Sequence, residues 1–207
     1  MRTGSIELAI ALMVSMLGAA GCSQSNEGPG GSAGSGGGVA GSGGGGGSAV
    51  TSISGSKPLG TLTAAESTQL CDDTKAYFKS AISKANSCKF SALSNAASTS
   101  APSDTVLQTN CASMETSCNA SATMGPGTST SCFPPPATCT ATVAQYSACI
   151  SDEAALLTQS ANTLPSCAAV RLADITPIFA AVEALYQATG CMALMAACPD
   201  FVFPIAN

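Results

Sequence analysis

Cysteine is the residue type with the most chemistry to offer in this chain, which has eleven of them and no histidine. Without histidine the chain lacks the usual general base, the usual nucleophile–base triad and the commonest metal ligand. No C-x-x-C occurs, so zinc ribbons, haem attachment and thioredoxin-type redox motifs have no support. The only adjacent carboxylates are Asp72-Asp73 and Asp152-Glu153. Neighbours at i,i+1 on a helix point in different directions, so neither pair makes an acid/base couple alone. No calcium loop or nucleophile elbow is present, and the glycines do not stand between a strand and a helix as a phosphate loop requires. The expectation is a protein with no catalytic residue, no metal and no cofactor. An enzyme would need carboxylates assembled from distant segments.

The remaining use of so many cysteines is pairing in an oxidising compartment, and an odd number leaves one to explain. Cys22 explains it. Arg2 precedes an apolar stretch from Leu8 to Leu17, too short to span a bilayer, and Gly18-Ala19-Ala20-Gly21 leads directly into Cys22. This order resembles a bacterial lipoprotein signal, with residues 1–21 removed and the Cys22 thiol carrying lipid. It departs from that pattern in having Ala19 where Leu is favoured three places before the cysteine. Ordinary cleavage after Ala20 also suits the small-residue rule, but it would leave eleven cysteines unable to pair completely. With Cys22 acylated by palmitate-type chains, ten remain: Cys71, Cys88, Cys111, Cys118, Cys132, Cys139, Cys149, Cys167, Cys191 and Cys198. Multiple acylation is sufficient for stable membrane anchoring.

After Cys22 comes a run from Gly28 to Gly47 in which 13 of 20 residues are glycine. Nothing in it can be buried to offset the entropy of ordering glycine. Residues 22–60 are therefore read as a flexible tether, whose glycine/serine chain would have an end-to-end distance of roughly 30–35 Å.

Residues 61–207 have the size of one domain. Charged residues are few and Ala, Ser and Thr abundant, so the core should be narrow and dependent on disulfides, each typically worth about 2–4 kcal/mol. Thr63 and Glu66 have the spacing of a capping box opening a first helix, and Leu70, Cys71, Tyr77, Phe78, Ile82 and Cys88 recur on one face. Lys75, Lys79, Lys84 and Lys89 fall mainly elsewhere on that helix and read as a solvated face rather than a basic docking stripe. Ser91 to Ser103 reads as a loop or weak turn. A second helix starts at Asp104 with Leu107, Cys111, Met114 and Cys118 on one stripe. A third runs from about Cys139 to Ser160, a fourth from Thr176-Pro177 to Gly190, and a short last one from Cys191 to Cys198. Phe201 to Ile205 form an apolar tail. The expected fold is all-α, a disulfide-stapled bundle of four to five helices.

Helix geometry limits the pairing. Cys111 and Cys118, like Cys191 and Cys198, are seven residues apart, about 10.5 Å on a helix, whereas a disulfide needs Cα atoms within roughly 7 Å. Neither pair can close on itself, nor can Cys71–Cys88 on a continuous helix. Cys132–Cys139 could bridge locally. The rest of the connectivity is open.

The net charge of −5 leaves no electrostatic footprint for nucleic acid, so none is expected as a partner. In composition the domain resembles elicitins and plant lipid-transfer proteins, which implies a possible apolar cavity lined by Leu70, Tyr77, Phe78, Met114, Tyr146, Phe179 and Tyr186. The same residues are those a core needs most. The lipoprotein-like signal, the glycine tether, Leu70-Cys71-Asp72 and Cys139-Thr-Ala-Thr-Val-Ala-Gln-Tyr-Ser-Ala-Cys149 together resemble the cysteine-rich lipoproteins of myxobacteria. That resemblance implies export and disulfides and carries no activity. The expected role is a structural or protein-interaction one at the envelope. Its partners would be the outer membrane, through Cys22, and an envelope or extracellular protein. Carriage of a small apolar ligand or lipid is the alternative.

Overall fold

The computed structural model describes residues 49–128, 134–199 and 201. The signal segment, Cys22, the glycine run, Cys132 and the end of the apolar tail lie outside them. The described residues form six α-helices and no named strand: α1 (Ala64–Ala81), α2 (Lys84–Ser98), α3 (Asp104–Ala120), α4 (Val143–Thr163), α5 (Ile175–Tyr186) and α6 (Thr189–Ala197). Short 3-10 turns precede α1 and α5. The fold is all-α and disulfide-bonded.

The count exceeds the expected four to five because the first long helix is two. Ile82 is extended at φ −119°, and the Ser83 side chain accepts from Asn86 N to start α2. That start carries helix through Ser91 to Ser98, a stretch whose composition reads as loop. Its inner face supplies the reason, since Phe90, Ala92, Leu93, Ala96 and Ala97 are all buried. Ser94, Asn95 and Ser98 meanwhile bond back to carbonyls of the preceding turn. The first helix starts on its sequence signal, whereas the third, expected from about Cys139, starts at Val143. Thr63/Glu66 and Thr142/Gln145 form complete capping boxes at α1 and α4. Pro177 sits at the third position of α5 rather than the first, still within the turn whose N–H groups have no helical partner. Gly190, read as a stop, lies inside α6.

The chain joins the domain earlier than residue 61. Val50 is 5 % exposed and Leu59 1 %, with Ile53 packed against the same core. Residues 49–60, expected as tether, form a strap running antiparallel along α1. Thr51 Oγ1 donates to Asp73 Oδ2 at 2.6 Å, Gln69 Nε2 to Ser52 Oγ at 2.8 Å, and Lys57 pairs with Glu66. Three apolar residues in an otherwise polar linker suffice to hold it down.

Two hydrophobic clusters share the interior. The first gathers the strap, α1, α4, Leu185 of α5 and α6, with Leu70, Phe78, Ile82, Tyr146, Ile150, Leu157 and Leu194 among its members. The second lies between α2, α3, the segment after α4, and α5, around Leu93, Ala96, Leu107, Val170 and Ile178. Leu164 touches both. No single helix among the described residues is long and apolar enough to cross a membrane. Leu172–Tyr186 with Thr189–Ala197 reaches that length and composition only as a pair bent by 52°.

Candidate functional site

All nine cysteines among the described residues are disulfide-bonded. Cys88–Cys118 joins α2 to the end of α3, and Cys111–Cys167 joins the middle of α3 to the segment after α4. Cys149–Cys191 joins α4 to α6, and Cys139–Cys198 joins the approach to α4 to the exit from α6. Their Cα–Cα distances, between 4.3 and 5.5 Å, fall in or just below the usual range. Cys71 is bonded as well. The helical-spacing rule holds: the two cysteines of α3 go to different neighbours, as do Cys191 and Cys198. Cys139, for which a local bond to Cys132 was open, instead spans 59 residues to Cys198.

Among the described residues, those named for an apolar pocket are spread over two clusters and the surface. Leu70, Phe78 and Tyr146 are buried in the first cluster and Phe179 packs beside the second. Met114 and Tyr186 are each 37 % exposed. Tyr77 alone reaches an open groove of about 390 Å³, bounded by strap residues 49–52 and by Asp73, Ala76, Tyr77 and Ser80 of α1. The stripe rule placed Met114 correctly on one line with Leu107 and Cys111. However, α3 is an edge helix in which only Leu107 and Cys111 are buried.

Charged side chains serve helix ends. Lys89 Nζ donates to Ala161 O at 2.6 Å and Leu164 O at 2.8 Å, closing the C-terminus of α4. Lys84 Nζ donates to Ser121 O at the end of α3. Two members of the lysine stripe are thus structural caps, where a cation also complements the helix dipole. Asp152 Oδ2 accepts from Gly190 N at 3.0 Å at the start of α6, and Asp104 Oδ1 accepts from Leu172 N at 2.8 Å. The adjacent carboxylates therefore split. Asp72 lies 3.9 Å from Lys75, Asp73 holds the strap, Asp152 caps α6, and Glu153 is buried. Among the described residues no group of three or more His, Cys, Asp or Glu is placed to hold a metal ion.

The strap also completes the N-terminus of α4. Val143 N donates to Lys57 O and Ala144 N to Gly55 O, both at 2.9 Å. Gln145 N donates to Thr142 Oγ1, and Thr142 N to Gln145 Oε1. All four N–H groups that a helix start leaves open are satisfied, two of them by the strap. Sequence reasoning missed this because backbone carbonyls leave no residue-type signal.

Comparison with protein-family models, with curated proteins and with solved structures finds no match to this chain.

Proposed function

We propose that this chain is an exported lipoprotein, acylated at Cys22 and anchored to the outer membrane on its periplasmic or cell-surface side. Its disulfide-stapled domain would serve a structural or protein-interaction role at the envelope. The observation that carries the reading is the pairing. Four described disulfides and a bonded Cys71 are compatible with an oxidising, exported location. The eleventh cysteine stands where a lipoprotein signal would end. Among the described residues the pocket candidates are spread over two clusters and the surface, which supports the interaction role over carriage of an apolar ligand. Mass analysis of the protein extracted from its membrane tests the reading. A diacylglycerol-modified Cys22 at the mature N-terminus is expected. An N-terminus at Gly21, with Cys22 unmodified, would overturn it.

A further inference from the structure

The described cysteines are not equally reachable. Cys118 is partly exposed, whereas each of the other eight is at most 8 % exposed. Its own partner, Cys88, is 0 % exposed. Thiol–disulfide exchange needs a thiolate to reach one sulfur while the other sulfur leaves. Among the four described pairs, Cys88–Cys118 alone has a member outside the buried interior. The asymmetry also fixes a direction, with attack at Cys118 and departure of Cys88.

The same bond holds a segment that little else holds. The buried residues of α3 are Leu107 and Cys111, so its last two turns add no buried side chain. Among the described residues, two bonds tie residues 112–124 to another element: the Cys88–Cys118 disulfide and the hydrogen bond from Lys84 Nζ to Ser121 O. The segment is bounded on both sides. Cys111 before it is bonded to Cys167, and Gly125 and Pro126 after it are buried, with Gly127 packed on the backbone of Lys75. Opening Cys88–Cys118 therefore loosens the end of α3 and leaves its first half seated in the second cluster.

From this we infer that Cys118 is a thiol-exchange site, with a low-molecular-weight thiol as its substrate class. The incoming thiolate sulfur bonds to Cys118 Sγ, the bond to Cys88 Sγ breaks, and Cys88 leaves with the electron pair as a thiolate and takes up a proton. The chain then carries the thiol on Cys118 through a new disulfide. A second thiolate attacks the sulfur of the carried group, removes it as the oxidised thiol dimer, and leaves Cys118 and Cys88 as two thiols. The thiol is the reductant and the protein disulfide the oxidant, so no other reactant is needed. The product is a domain whose last turns of α3 are loosened while the other cross-links stay closed. The site operates whether or not Cys22 carries lipid.

The test treats the native full chain with reduced glutathione at about pH 8, where a useful fraction of the thiol is ionised, and quenches by alkylation. Peptide masses should show glutathione first on Cys118, with Cys88 as the matching alkylated thiol. This should form at least about tenfold faster than a modification at any other cysteine. Glutathione on Cys88, a first modification at another cysteine, or several disulfides opening together would overturn the proposal. Amide exchange on the glutathione-bearing chain reads the consequence. Residues 113–120 should lose protection while Leu93 and Leu107 keep theirs. Unchanged protection over 113–120 would show that the bond does not hold this segment, and a parallel loss at Leu107 would show that the helix cannot loosen by halves; either would overturn it. The mixed disulfide is made from chain that is already folded, so neither reading depends on a variant that must fold anew.

Discussion

The Thr74 hydroxyl, buried in α1, stands 3.0 Å from the Tyr146 hydroxyl of α4 and 2.7 Å from its own helix carbonyl at Leu70. A hydroxyl has one proton, so when Thr74 donates to Leu70 O it must accept from Tyr146. The bond is a polar link inside the first core, between α1 and α4. Tyr146→Phe should cost about 1 kcal/mol in urea unfolding with disulfides intact, and Thr74→Val a similar amount. Because each removes the same bond, the double variant should cost less than the two together. Burial, reinforced by the Glu153 carboxylate, pushes the Tyr146 phenol above its ordinary 10.0. The unfolded chain then loses this proton first, so stability should fall as pH rises above 10. In Tyr146→Phe that part of the alkaline loss should vanish.

Lys89 gives a second prediction and shows where the sequence was silent. Lys89→Met keeps much of the stem but leaves the Ala161 and Leu164 carbonyls without their donor. A loss of about 1.5–3 kcal/mol is expected from the charged hydrogen bonds, read as a lower urea midpoint with unchanged slope. Lys79 is exposed and donates to no group among the described residues, so Lys79→Met should change little. Nothing in the spacing of Lys75, Lys79, Lys84 and Lys89 distinguishes caps from solvated side chains. The acceptors lie 72 and 75 residues away and are backbone atoms.

The same limit explains what was legible elsewhere. Local signals were sufficient for the capping box and inner face of α1 and for the rule that Cys111 and Cys118 cannot pair. They failed at Ser91 to Ser98, where tertiary burial of Leu93 and Ala96 overrides a weak helical composition. They failed again at Val50, Ile53 and Leu59, too sparse to mark a packed strap by periodicity. Met114 and Tyr186 had the right residue type for a pocket, but only the placement of α3 and α5 decides whether a face is covered.

Gly190 separates α4 and α6. A Cβ there would stand 2.9 Å from Ala148 C and Cys149 N, backbone atoms that cannot swing aside. Gly190→Ala should push α6 off α4 despite the better helix propensity of alanine, at a cost of about 1–3 kcal/mol. The Cys149–Cys191 bond beside it should become easier to reduce, measurable by its midpoint in a thiol redox buffer. Unchanged stability in Gly190→Ala would mean that the helices are further apart than described.

Acid should loosen the strap first. Hydrogen bonds from Lys57, then from the Thr63 backbone and side chain, hold the Glu66 carboxyl down from 4.5 to about 2. A carboxyl depressed in the folded state contributes stability above 4.5 that is lost as pH falls towards 2. Between those values the Lys57 contact and the α1 capping box weaken together. Amide exchange at Val143 and Ala144, whose acceptors are strap carbonyls, should accelerate in this window before Ile150 does. In Glu66→Gln the acid-dependent part should disappear.

The disulfide framework yields a prediction that discriminates between anchored and unanchored chains. Cys71 is bonded, and the four described pairs use eight other cysteines. Within the chain only Cys22 and Cys132 remain for it. If Cys22 carries lipid, Cys71 must pair with Cys132, giving α1 a covalent link of its own. A non-reducing peptide map should therefore join the Cys71 and Cys132 peptides. Cys22→Ser should release the protein from the membrane while leaving that map and the thermal midpoint unchanged, since the anchor contributes nothing to the fold. A Cys71–Cys22 peptide would leave Cys132 as the free thiol and remove the lipid from the proposed function. A chain that stays on the membrane after Cys22→Ser would show that something other than acylation holds it there.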